Sequence, residues 1–63
     1  MTQKLITEKE AAPILNVALS TLRKWRINKT GPSYYKIGNK VLYDVGELAE
    51  FIRDSKIETT DHG

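Results

Sequence analysis

The sequence has no cysteine, a single histidine and no long apolar run. Without cysteine there is neither a disulfide framework nor a thiolate zinc site to brace a small core. His62 stands next to last in a chain of 63 residues, which excludes a histidine-based metal cluster. No stretch approaches the roughly 20 apolar residues of a membrane span, and Met1 to Lys9 lacks the apolar centre of a signal peptide. The chain therefore reads as soluble and cytoplasmic, with no membrane partner. Paired carboxylates in a pocket, a nucleophile beside a histidine and a phosphate-cradling glycine loop are all missing, so no enzyme is expected. What remains is 40% hydrophobic residues. That is enough for one small domain, whose chain buries only about 60% of its unfolded surface.

The punctuation of the chain is clearer. Thr7-Glu8-Lys9-Glu10 reads as a capping box, with Leu5 and Ile6 placed to close over the first turn. Ala11, Ala12, Ile14 and Leu15 supply the buried side of this first helix. Pro13 removes an interior N–H, which predicts a short or kinked helix, and Asn16 suits the left-handed position that ends it. A second helix is expected over residues 18–28, with Ala18, Leu22 and Trp25 on one arc and Leu19 and Arg26 beside it. Ser20, Arg23, Lys24 and Ile27 project from the other side. Thr30-Gly31-Pro32 breaks the periodicity. Two β-prone runs, residues 34–37 and 40–43, flank Gly38-Asn39, a hairpin signature. Strict alternation places Tyr35, Ile37, Val41 and Tyr43 on an inner face and Lys36, Lys40 and Leu42 outward. Tyr34 also turns outward, where its hydroxyl can reach a phosphate. Asp44 caps a third helix with Glu47 at the capping-box position and Val45, Leu48, Phe51 and Ile52 as its stripe. The fold class is a small α+β domain, helix-helix-hairpin-helix, over residues 1–57, with a flexible polar tail over 58–63.

The net charge of +2 conceals a polarised chain. Residues 11–43 carry Arg23, Lys24, Arg26, Lys29, Lys36 and Lys40 and no acid, whereas residues 44–63 carry six acids and two bases. The basic residues fall on the outer side of the second helix and on the hairpin. Clustered Lys and Arg are ordinarily a solvated face. Here they coincide with the parts of a helix-turn-helix unit that touch DNA, a helix for the major groove and a hairpin for phosphates or the neighbouring minor groove. Arg23 and Lys24 are the leading binding candidates, with Arg26 and Lys29 as candidates for backbone contacts. Trp25, Tyr35 and Tyr43 are assigned to the core. Glu47, Glu50 and Asp54 recur at helical spacing, either as a solvated face or as a dock for a partner protein.

Three segments, residues 5–12, 15–26 and 31–43, resemble the AlpA/excisionase family of small winged helix-turn-helix DNA-binding proteins, distantly similar to the N-terminal domains of MerR regulators. The resemblance covers roughly residues 5–54. It implies a second helix in the major groove, with Ser20, Thr21, Arg23 and Lys24 on the DNA-facing part. It implies a wing made by Lys36, Gly38, Asn39 and Lys40. It further implies a double-stranded DNA partner, no cofactor, and a role in a phage or mobile element. That role is either excisionase (recombination directionality factor) or small transcriptional regulator in a bacterial host, with an integrase or further copies on tandem sites as partners. The chain departs from the family at Asn16, usually Gly, at Ala18, usually Ser, and at Pro13. Two alternatives stand beside this: a DNA-recognition module like that of terminase small subunits, and a protein-interaction module using the acidic third helix.

Overall fold

The capping box forms as expected in the computed structural model, which describes residues 3–58. Thr7 Oγ1 accepts the Glu10 N–H at 3.2 Å, and Glu10 Oε1 accepts the Thr7 N–H at 2.9 Å. The first strand, β1 (Leu5–Thr7), runs directly into this cap, and helix α1 (Glu8–Leu15) follows it. With Pro13 inside, α1 lasts eight residues. Asn16 then adopts φ +58°, its N–H donating to Pro13 C=O and that of Val17 to Ala12 C=O, both at 3.1 Å. This pair of bonds is the Schellman termination. Helix α2 (Leu19–Ile27) starts from Ala18, which lies in extended backbone as its N-cap. Ala18 is therefore exposed, off the buried arc on which helical spacing had placed it. The end of α2 repeats the Schellman pattern, with Lys29 at φ +57° and Thr30 N–H donating to Trp25 C=O at 2.8 Å.

Strands β2 (Tyr35–Ile37) and β3 (Lys40–Asp44) form the hairpin, and β1 adds to its far side, giving the antiparallel order β1-β3-β2. Leu5 and Ile6 are thus a strand as well as a lead-in to α1. Gly38 has φ +61°, whereas Asn39 does not enter the positive region, the pattern of a type II′ turn. Pairing of Ile37 with Lys40, Lys36 with Val41 and Tyr35 with Leu42 corrects the expected faces. A two-residue turn pairs odd positions of one strand with even positions of the other, and cross-strand partners share a face. Odd residues of both strands therefore cannot lie together. Val41 and Tyr43 face the core, while Tyr35 and Ile37 lie on the reverse side with Leu42. Ile37 is accordingly 54% exposed. Tyr34, expected outward, instead turns towards Tyr43, ring centroids 6.2 Å apart.

Helix α3 (Val45–Asp54) begins where Asp44 Oδ2 accepts the Glu47 N–H at 3.0 Å. Glu47 does not return the bond; its Oε2 accepts the Tyr35 hydroxyl at 3.1 Å. The core consists of Ile6, Ala11, Ala12, Leu22, Tyr43 and Leu48, with Leu15, Val17, Trp25, Val41 and Val45 packed around it. Two alanines on one face let α1 approach Leu22 and Tyr43 closely. Ile14 stands about 100° round the helix from Leu15 and is exposed, as is Ile52. Of the expected tail, Glu58 is exposed and residues 59–63 lie outside the described residues. Among the described residues no helix is long and apolar enough to cross a membrane.

Candidate nucleic-acid interface

Burying Leu22 fixes the rotation of α2, and that rotation decides what it offers outward. Ser20, Lys24 and Ile27 share the exposed side, with Arg23 at its edge and Thr21 half-buried at the other edge. Lys24 has no ion-pair partner among the described residues, and nor have Lys29, Lys36 and Lys40. The wing lysines do not share a face. Lys36 lies on the side of Val41 and Lys40 on the side of Ile37, so the hairpin carries one cation on each surface. Gly38, at the tip, has open space where a Cβ would stand.

The two arginines of α2 behave differently from the lysines. Arg23 grips the Glu8 carboxylate with two donors, Nη2 to Oε2 at 3.0 Å and Nε to Oε1 at 3.4 Å. Its side chain remains 51% exposed. Arg26 Nη1 donates to Glu8 Oε1 at 2.8 Å and to the Tyr43 hydroxyl at 3.4 Å, and its guanidinium carbon sits 5.7 Å from the centre of the Tyr34 ring. Only 19% of the Arg26 side chain is exposed. Arg26, a sequence candidate for a DNA backbone contact, is thus built into the joint between α2, α1 and the hairpin.

The electrostatics follow from this geometry. The Arg23 hydrogen bond, reinforced by Arg26, holds the Glu8 carboxyl below the usual carboxylate range against the opposing effect of burial. Burial works to lower the Arg26 pKa, but the bonds to Tyr43 and Glu8 outweigh it and the net shift is upward. Glu8 also lines a groove of about 320 Å³ whose opposite wall is Asn39, Lys40, Val41 and Leu42. It therefore lies between α2 and the β2–β3 hairpin. A second cleft, about 430 Å³, runs past Arg26, Lys29 and Tyr34 at the end of α2.

Glu8 was not among the residues the sequence singled out for the interface, and the signal that points to it is indirect. Arg26 borders the buried arc of α2 and needs a partner there. Only Glu8 and Glu10 precede residue 44 as acids, and Glu10 is committed to the capping box.

Two short helices in tandem, the second with an exposed polar and basic side, followed by a hairpin with a glycine tip, define a small winged helix-turn-helix domain. The family model described as a helix-turn-helix domain matches residues 5–56. The chain belongs to this family, which includes AlpA- and excisionase-like proteins, and membership points to a DNA-binding, non-enzymatic protein. No curated protein matches the chain.

Proposed function

We propose that the chain is a sequence-specific DNA-binding protein of a phage or mobile element, acting in a bacterial cytoplasm as an excisionase or as a small AlpA-like transcriptional regulator. The observation that carries this reading is the exposed stripe of α2, Ser20 with Lys24 and the rim residue Arg23, within a 33-residue stretch (11–43) free of acids. Helix α2 enters the major groove, where Arg and Lys reach guanine O6/N7 and hydroxyls bond several bases. The β2–β3 hairpin lies along the phosphates or in the adjacent minor groove, using Lys36 and Lys40 with the Gly38-Asn39 tip. A domain of this size reads few base pairs, so cooperative binding of several copies to tandem sites is expected, with an integrase as a further partner in excision.

The test is footprinting of the purified chain across the ends and promoters of its own element. Protection at the attachment ends supports excision, and protection at a promoter supports regulation. Absence of binding to any duplex, or binding indifferent to salt, overturns the reading. With about five phosphates neutralised, log K should fall with log salt at a slope of roughly −4.5.

A further inference from the structure

We propose that Glu8 is a positioning residue for base recognition: its carboxylate holds Arg23 by the side edge of the guanidinium so that the end edge is presented to a guanine. This inference rests on the DNA-binding reading above and deepens it. A guanidinium has two edges that can bond two acceptors at once, a side edge made by Nε and Nη2 and an end edge made by Nη1 and Nη2. Arg23 commits the first to Glu8, with Nε at 3.4 Å and Nη2 at 3.0 Å from the two carboxylate oxygens. Nη1 and the second hydrogen of Nη2 are left without a partner among the described residues. That is the pair of donors which matches O6 and N7 of guanine in the major groove.

Glu8 is itself held. It opens α1, next to the capping residue Thr7, where the helix N-terminus favours a negative charge. On its other side Arg26 donates to Oε1 at 2.8 Å and is anchored by Tyr43 and Tyr34. The carboxylate is therefore fixed by the core before DNA arrives. Arg23 is a long flexible side chain, and ordering it in the free protein removes part of the entropy cost of ordering it on DNA. Arg26 supports the arrangement from behind, and Arg23 does the reading.

The experiment enriches bound duplexes from a randomised pool with the full chain and with its Glu8→Gln, Glu8→Asp and Arg23→Ala variants. Circular dichroism and thermal melting confirm that each is folded. Wild type should enrich a motif containing a guanine that Arg23→Ala no longer selects. Glu8→Gln should lose about tenfold discrimination at that same base pair and keep the other positions. Its affinity for random duplex should not fall, because the substitution removes a negative charge. Glu8→Asp, which keeps the charge but draws the carboxylate back by one methylene, should show the same selective loss and serves if Glu8→Gln does not fold. A Glu8 variant that is folded and enriches the unaltered motif overturns the proposal. So does one that binds every duplex more tightly with its base preference intact, since Glu8 would then be masking Arg23. If wild type is folded and enriches nothing, the DNA-binding reading fails, and that outcome is separate from both.

Discussion

The α-carbon of Gly31 lies against the face of Trp25, so close that a Cβ at position 31 would stand 2.7 Å from Trp25 Cε3 and 3.0 Å from Trp25 Cβ. Gly31 also has φ +81°, a conformation that L side chains rarely adopt. The turn after α2 is thereby clamped onto the indole, which also packs on Phe51 of α3 at a ring-centroid distance of 5.9 Å. Gly31→Ala should cost about 2 kcal/mol through steric and backbone strain together. Trp25→Ala, which removes the shared contact, should cost about 3 kcal/mol and leave the domain largely unfolded. Urea titration followed by circular dichroism measures both. A Gly31→Ala variant as stable as wild type would contradict the packing of this turn.

Lys24 and Arg26 sit two residues apart on α2 and should respond to alanine in opposite ways. Lys24 is exposed and without an ion-pair partner, so Lys24→Ala should leave the melting temperature within about 2 °C and weaken duplex binding. If it meets a phosphate, the salt slope should shrink by about 0.9. Arg26→Ala should instead destabilise the fold by about 2 kcal/mol. It removes bonds to Glu8 and Tyr43 and the packing on Tyr34 from a half-buried site. Melting curves and binding isotherms on the same preparations separate the two residues.

Much of this was legible in the sequence wherever one local rule decides the matter. Thr7 and Glu10 are three residues apart before an apolar run, and Asn16 follows the last apolar pair of α1; both did what their chemistry requires. The hairpin turn was also readable, but the faces of its strands were not correctly derived from alternation within each strand alone. Cross-strand parity, which the turn length sets, assigns Tyr35 and Ile37 to the reverse side. Strand β1 escaped because three residues leading into a helix carry no period of their own. Ile6 becomes a strand residue only by pairing with Tyr43, 37 positions away. Among the candidate residues, charge and helical spacing placed Arg23, Lys24, Lys36 and Lys40 on exposed positions, where the structure has them. They could not show that Arg26 turns inward or that Glu8 stands between the helices, because both depend on the packing angle of α1 on α2.

The Glu8 clamp gives stability a definite pH dependence. Its carboxyl pKa is lowered in the folded protein, first by the Arg23 hydrogen bond and then by Arg26. A depressed carboxyl stabilises the fold fully above its unfolded pKa, and the contribution disappears as pH falls through the folded value. Melting temperature should therefore drop on acidification through and below the ordinary carboxylate range. The Glu8→Gln variant should lack that part of the drop and be roughly 1 kcal/mol less stable at neutral pH, since both partners retain solvent contact. Tyr35 gives the opposite sign. Its hydroxyl donates to Glu47, which raises its pKa, so the stabilising bond is complete below the unfolded tyrosine value and is lost as pH rises through the folded one. Ultraviolet titration should show Tyr35 ionising above the ordinary tyrosine value, and Glu47→Gln should return it towards that value.

Lys29 offers the sharpest separation of stability from binding. It occupies the left-handed position of the α2 termination at φ +57°, where glycine is the preferred residue, and it lines the cleft beside Arg26 and Tyr34. A lysine there strains the backbone, and strain at an exposed basic residue at the end of α2 is consistent with a demand for the side chain itself. Lys29→Gly should relieve the conformation and stabilise the domain by about 0.5–1 kcal/mol. The same substitution removes a cation, so duplex affinity should fall at low salt and the salt slope should shrink by about 0.9 if Lys29 meets a phosphate. Lys29→Asn, which also tolerates the left-handed region, should retain most of the stability gain and show the same loss of affinity. Greater stability with unchanged binding in both variants would remove Lys29 from the interface, and lower stability would contradict the termination geometry.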